Sequence, residues 1–326
     1  MRIAINGMGR IGRLLFRRIW EGENEIVAVN DIMPSENLAY LLKYDSIYGT
    51  YEKEIKAGEN ELLISDKSVK IFRESDPAKL PWSSMDIDVV LECSGVFLNY
   101  ESAARHLAAG AKKVLLSTTG KDDIPLKIFG FNQNGSVADI DILSPGGCMT
   151  NCSTHVLYIL NSFGIESAMI NVLHSYTSRQ SLVDTAHNQF RRGRAASESI
   201  IPVDIDLYQS LERLMPNLKG KISASSTRIP IANGAYANFF VEMKSPVSVK
   251  EVNRLFKNSA ENDYKGIVQY TEEPLVSLDI KANTHSCIID GSQTSSTGKL
   301  VRVAAWFDNE YGFTSRMLDW LKYFEK

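Results

Sequence analysis

RIAINGMGRIGRLLFRRIW, residues Arg2–Trp20, opens with a short β-rich run, Arg2–Asn6. It passes through Gly7-Met8-Gly9-Arg10-Ile11-Gly12 and continues with a helical pattern over Arg10–Trp20. A G-x-G-x-x-G alone is a weak signal, but here a strand precedes it and a helix follows it. The next strand, EIVAVND at Glu25–Asp31, ends on an acidic residue. The glycines permit a tight turn and a close backbone approach, so a pyrophosphate can rest on the helix N-terminus, where N–H groups and the helix dipole face it. Asp31 would accept hydrogen bonds from ribose hydroxyls and repel a 2′-phosphate, which predicts NAD rather than NADP as cofactor. The alternative is a glycine turn in a cofactor-free α/β domain, with Asp31 a solvated strand end.

Outward from this segment, further strands are predicted at Asp88–Glu92, Lys113–Ser117 and Lys127–Gly130, with a helix over Glu101–Ala109. Strands alternating with helices imply βαβ units and a parallel, doubly wound sheet. The texture changes at Cys148. A helix over Thr150–Phe163 is followed by strands at Ala168–Tyr176, Ala237–Lys244, Leu275–Asp279 and Leu300–Trp306. Ser248 with Glu251 is a capping box for a helix over Val249–Ala260. An amphipathic helix over Thr314–Phe324 closes the chain. The fold class is therefore α/β: an N-terminal Rossmann domain, residues 1–147, completed by a C-terminal helix at 310–326, and an α+β catalytic domain with a mixed sheet, residues 148–309.

Composition narrows the function. The chain has 326 residues, with 36 Lys+Arg against 39 Asp+Glu and a net charge of −3, which argues against nucleic-acid binding. No apolar run reaches the ~18 residues of a membrane span, and MRIAING is too short and polar for an export signal. Cys93, Cys148, Cys152 and Cys287 are the four cysteines, too few for a disulfide scaffold. A cytoplasmic enzyme without membrane or nucleic-acid partners is expected.

Ser144-Pro145-Gly146-Gly147-Cys148-Met149-Thr150-Asn151-Cys152 carries the sharpest chemical signal. A thiol at a helix N-terminus has its thiolate stabilised by the dipole and by free N–H groups. Cys148 and Cys152 lack a second pair at ligand spacing, so a metal site is not expected. A nucleophilic cysteine needs a base. Among His106, His155, His174, His187 and His285, His174 ends an apolar strand run where the side chain emerges toward a loop. A hydrogen-bonded core or surface role is its alternative.

Together these passages resemble the glyceraldehyde-3-phosphate dehydrogenase family over essentially the whole chain. The resemblance is carried by INGMGRIGR (Ile5–Arg13), VNDI (Val29–Ile32), LLKYDSIYG (Leu41–Gly49), DPAKLPW (Asp76–Trp82), LECSGVF (Leu91–Phe97) and GAKKVLLS (Gly110–Ser117). It continues through CMTNC (Cys148–Cys152), HSYTSRQ (His174–Gln180), RRGRAASESIIP (Arg191–Pro202) and AWFDNEYGFTSR (Ala305–Arg316). It implies Cys148 as nucleophile and His174 as base. It also implies Asn309 as holder of the nicotinamide carboxamide, Ser117 in the cofactor set, Thr177 and Arg228 on the substrate phosphate, and a homotetramer assembled partly through residues 180–201. The substrate implied is a small phosphorylated aldehyde, oxidised through a thiohemiacetal and a thioester.

The chain departs from the family where an acyl acceptor would bind. Gly147, Met149 and Ile205 stand where phosphorylating members carry hydroxyls, and Asp206 stands in place of a glycine. A phosphate dianion needs donors and is repelled by a carboxylate. RAASESIIPVD, GIVQYTEEPLVS and IIDGSQT look closer to the erythrose-4-phosphate dehydrogenase branch, which releases its acid by hydrolysis. That branch keeps hydroxyls beside its cysteine, so Gly147 and Met149 depart from it too. Arg179 fits neither branch: it either meets a substrate anion or sits solvated. Ala186 lies where NAD-selective members often have proline. The expected reaction is of the erythrose-4-phosphate type. The alternatives are a phosphorylating glyceraldehyde-3-phosphate dehydrogenase and a catalytically weak NAD-binding sensor.

Overall fold

In the computed structural model, residues 1–134, 137 and 139–325 are described. The chain divides into two compact units, Met1–Gly147 with Arg316–Lys326, and Cys148–Ser315.

In the first unit β1 (Arg2–Asn6), α1 (Arg10–Trp20) and β2 (Glu25–Asn30) form the leading βαβ unit. They are followed by α2 (Ser35–Lys43), the small pair β3 (Tyr44–Asp45) and β4 (Gly49–Thr50), and β5 (Ile55–Ala57), β6 (Glu61–Ile64) and β7 (Lys67–Phe72). Then come β8 (Val89–Glu92), the short helices α3 (Tyr100–Ala103) and α4 (Arg105–Ala108), β9 (Lys113–Leu116) and β10 (Ile142–Leu143). The eight-stranded sheet runs β10-β9-β8-β1-β2-β7-β6-β5. Its strands are parallel from β10 to β7, and β7-β6-β5 form an antiparallel edge. Strand order reverses between β1 and β8, so the crevice at their carboxyl ends is the place where such sheets bind ligands. Ile3, Ile5, Val29, Leu91 and Leu115 are fully buried, as expected of strands covered on both faces.

The second unit holds α5 (Cys148–Leu160), β11 (Ile165–Ser175), β12 (Ile201–Val203), α6 (Leu207–Leu214), β13 (Ile222–Ile229), β14 (Ala235–Met243) and α7 (Val249–Glu261). It ends with β15 (Val268–Thr271), β16 (Cys287–Asp290), β17 (Ser295–Thr297), β18 (Leu300–Phe307) and α8 (Tyr311–Phe324), whose last turns belong to the first unit. The sheet order is β12-β13-β11-β14-β18-β16-β15, with β17 on β18. It is mixed: β11–β13 and β15–β16 are parallel and the other pairs antiparallel. Val156, Leu157 and Leu160 of α5 and Phe256 of α7 are buried with Val172, Phe239 and Val303 of the sheet.

Three local expectations fail. Lys127–Gly130 is not a strand. Leu126 makes one isolated bridge to Ser144, and the Asn132 side chain accepts the Ile128 N–H at 2.6 Å, folding the segment into a turn. Leu275–Asp279 is also a turn: Asp279 accepts the Val276 N–H at 2.7 Å, and Val276 and Leu278 are exposed. The strands there are β15 and β16 instead. The helix predicted over Glu101–Ala109 is broken into α3 and α4 at Ala104. The Ser248–Glu251 capping box is present as expected, with Glu251 N–H donating to Ser248 Oγ and Ser248 N–H to Glu251 Oε2.

Candidate active site

Cys148 is the first residue of α5, two residues earlier than the helix expected from sequence. Gly146, at φ +77°, turns the chain into it. That left-handed conformation costs glycine nothing and other residues about 1 kcal/mol or more. β11 brings His174 opposite: its Nε2 lies 3.6 Å from Cys148 Sγ. His174 Nδ1 lies 2.8 Å from the carbonyl oxygen of Ser175. A carbonyl only accepts, so Nδ1 carries the proton and Nε2 turns its lone pair toward the thiol. The ring is buried and packs edge-on against Phe307.

Burial pushes the Cys148 thiol up to about 11, opposed first by the Arg228 charge and then by the Met149 and Cys148 N–H groups. The N–H groups act in the expected direction, and loss of water outweighs them. Burial, then Arg228, pushes the His174 imidazole down to about 3. Each group alone is kept neutral, but each charged form is the other's counter-ion at 3.6 Å. Nε2 is thus placed to accept the thiol proton.

Arg228 sits directly across from His174 in the parallel β11–β13 register, and its Nη1 donates to Ser175 O at 3.3 Å. Burial brings its guanidinium down to about 10, with Cys148 opposing and Arg192 and Arg179 adding repulsion. Thr177 donates through its N–H and its hydroxyl to Gln180 Oε1, at 2.9 and 3.0 Å. Gln180 and Arg192 were not singled out from sequence, although both lie in the quoted motifs. The Ser181 N–H donates to Arg192 O at 3.0 Å, which seats Arg192 against this turn. Arg228 Nε, Arg192 Nη1 and Gln180 Nε2 are buried and have no hydrogen-bond partner among the described residues. All are donors, and a set of unpaired buried donors is what an anion satisfies. Arg179 is exposed, and its N–H donates to Thr177 Oγ1 at 3.3 Å.

Asn309 presents its Oδ1 to the Gly234 N–H at 2.8 Å and the Ser175 hydroxyl at 3.2 Å, so the amide nitrogen is the end left for a ligand. Its neighbour Asp308 accepts the N–H groups of Glu310, Tyr311 and Ala282, fixing the entry into α8.

In the first unit, Gly7 has φ +92°, and a Cβ there would lie 2.5 Å from Ser94 N. A Cβ on Gly12 would lie 2.0 Å from Gly7 O, so helix and turn touch backbone to backbone. Gly9 caps α1 without a side-chain oxygen, and nothing lies within 4 Å of where its Cβ would be. This is an open cradle at a helix N-terminus, and it fits a dinucleotide pyrophosphate. Arg10 turns its side chain to Asp45 and lies over the Tyr48 ring, so it and half-buried Ile11 offer the cradle their backbone. Asp31 accepts the Met8 N–H at 2.6 Å and the Met33 N–H at 3.0 Å, which ties it to the turn. Ser117 donates its N–H to Glu92 O at 2.9 Å at the end of β9. Among the described residues no cluster of His, Cys, Asp and Glu could hold a metal, and no helix is long and apolar enough to cross a membrane.

A doubly wound dinucleotide unit, with a thiol–imidazole pair on the mixed-sheet unit, defines the class as an NAD-dependent oxidoreductase. Residues 1–100 match the family model described as glyceraldehyde 3-phosphate dehydrogenase, NAD binding domain. Residues 147–309 match that of the glyceraldehyde 3-phosphate dehydrogenase C-terminal domain. Glyceraldehyde-3-phosphate dehydrogenase 2 of Bacillus subtilis (strain 168) is 39% identical over 327 residues, spanning 99% of this chain and 96% of that protein. The chain belongs to the glyceraldehyde-3-phosphate dehydrogenase family, and NAD is its cofactor.

Proposed function

We propose that the chain oxidises the aldehyde of a phosphorylated aldose through a covalent adduct on Cys148. The observation that carries this reading is the 3.6 Å Cys148–His174 pair, with its lone pair fixed on the sulfur side. The buried unpaired donors of Arg228, Arg192 and Gln180 suit the substrate's phosphate, together with Thr177. His174 Nε2 takes the thiol proton as Sγ bonds to the carbonyl carbon, giving a thiohemiacetal. The N–H groups at the start of α5 steady the developing oxyanion, an effect worth about 3 kcal/mol per donor. NAD, when bound, would supply the two-electron oxidation as hydride acceptor, so that the carbonyl carbon is left as a thioester on Cys148. Gly7, Gly9, Arg10, Ile11, Gly12, Asp31 and Ser117 would hold the dinucleotide, and the Asn309 amide its carboxamide.

Release by water, as in an erythrose-4-phosphate dehydrogenase, is favoured by Gly147, Met149 and Ile205 in place of hydroxyls and by Asp206 in place of glycine. Each hydrogen bond lost to a charged acceptor costs about 1.5–3 kcal/mol, enough to weaken inorganic phosphate by orders of magnitude. Glyceraldehyde 3-phosphate as the substrate, the alternative, is favoured by the name of the Bacillus relative. The test is NAD reduction with erythrose 4-phosphate and with glyceraldehyde 3-phosphate, each with and without inorganic phosphate. Phosphate-independent turnover of the tetrose is expected, and phosphate-dependent turnover of the triose would overturn it. Cys148→Ser should abolish turnover and keep NAD binding. NAD binding with no turnover of either aldehyde by the unmodified chain would favour a sensor.

We infer also that the chain assembles as a homotetramer. Leu182, Val183, Phe190 and Ile200 are exposed by 63, 74, 88 and 72% on the segment that resembles the family's intersubunit loop. Large apolar side chains this exposed suit burial against a partner surface.

A further inference from the structure

Beneath the dinucleotide turn lies a buried polar network that the reaction does not use. Glu92, at the end of β8, is 2% exposed, and both of its oxygens are occupied. Oε2 accepts from Asn6 Nδ2 at 2.5 Å and lies 2.9 Å from His106 Nε2; Oε1 accepts the Ser94 N–H at 2.8 Å and the Ser94 hydroxyl at 2.5 Å. His106 is fully buried, and the Trp82 indole donates to its Nδ1 at 3.1 Å. An indole N–H cannot accept, so Nδ1 is the acceptor and Nε2–H donates to Glu92. The carboxylate thus receives four donors and gives none.

Those donors are not scattered. Asn6 immediately precedes Gly7, and its Oδ1 accepts from Asn30, the residue before Asp31, at 2.7 Å. Ser94 is the residue whose backbone nitrogen would lie 2.5 Å from a Cβ on Gly7. One side chain therefore fixes the carboxyl ends of β1 and β8 directly, and that of β2 through Asn6.

We propose that Glu92 is a positioning residue that sets the shape of the pyrophosphate cradle, holding Asn6 and Ser94 on either side of Gly7. This rests on the reading of Gly7–Gly12 as the pyrophosphate site. A glutamine at 92 offers one oxygen and one NH2 to a set of donors, so the donors on one side must lose their acceptor.

The test is calorimetric titration of the full chain with NAD, ADP-ribose and adenosine. Glu92→Gln should weaken NAD and ADP-ribose alike, by about tenfold or more, and adenosine by less than about twofold. The alkylation rate of Cys148 without cofactor should be unchanged, which reports on the other unit. Ser94→Ala, a milder change, should weaken the same two ligands by about threefold or more. NAD affinity within about twofold of the parent in a folded Glu92→Gln protein would overturn the proposal. If that protein does not fold, unchanged ADP-ribose affinity in Ser94→Ala overturns it instead. Gly9→Asp separates the underlying reading, because it places a carboxylate in the open cradle. Undiminished ADP-ribose binding there would refute the pyrophosphate site itself, and the role of Glu92 with it.

Discussion

Cys148 and His174 show that a helix N-terminus does not by itself make a reactive thiol. The N–H groups lower the thiol's proton affinity, but burial raises it more, and the imidazole 3.6 Å away is the proton acceptor within reach. Removing the imidazole should expose the burial effect. The thiolate fraction rises with pH, so a raised pKa moves reactivity to higher pH and removes it below. His174→Asn is therefore expected to shift the pH profile of Cys148 alkylation by iodoacetamide upward by about one unit or more, because the thiol loses the group placed to accept its proton. A superimposable profile would show that His174 does not act on the thiol. Both residues are legible in the sequence from their place at element ends. Gln180 and Arg192 are not, because an unpaired buried donor is a property of packing and has no local signature.

At the scale of elements, the β1–turn–α1 junction is held by the approach of Gly12 to Gly7, and Gly12→Ala tests it. A methyl 2.0 Å from Gly7 O forces the helix away from the turn. The variant should lose NAD binding by about tenfold or more by calorimetry and melt at lower temperature. Binding and melting like the parent would mean the junction tolerates the shift. This element is legible in its amino acids alone, because its apolar period changes from two to 3.6 across glycines with a positional meaning. β13 is not. ISASSTRI has no apolar run, and its strand conformation comes from pairing with β11 on one edge and β12 on the other. Leu275–Asp279 fails in the opposite sense. Its apolar residues resemble a strand, yet Pro274 and the Asp279 side chain close a turn that leaves Leu278 79% exposed. Local pattern gives propensity, and the partner strand decides.

For the whole molecule, the tetramer proposed above would tie assembly to the candidate site, since the exposed apolar residues and Arg192 lie on the same stretch, 181–200. Leu182→Lys combined with Phe190→Lys should shift the mass measured by sedimentation from a tetramer to smaller species, with each unit still folded. An unchanged mass would refute a role for this face. The pairing of β13 bears on how the chain can vary in length. Arg228 reaches Ser175 only because it stands across from His174, and strand side chains alternate faces. An extra residue within Ile222–Thr227 would turn Arg228 to the other face as surely as deleting it. An insertion at Gly220, which has open space around it at φ +74°, would be absorbed by the turn. Counting residues between Gly220 and Arg228 in any relative is thus a test of function that needs no residue to be identical.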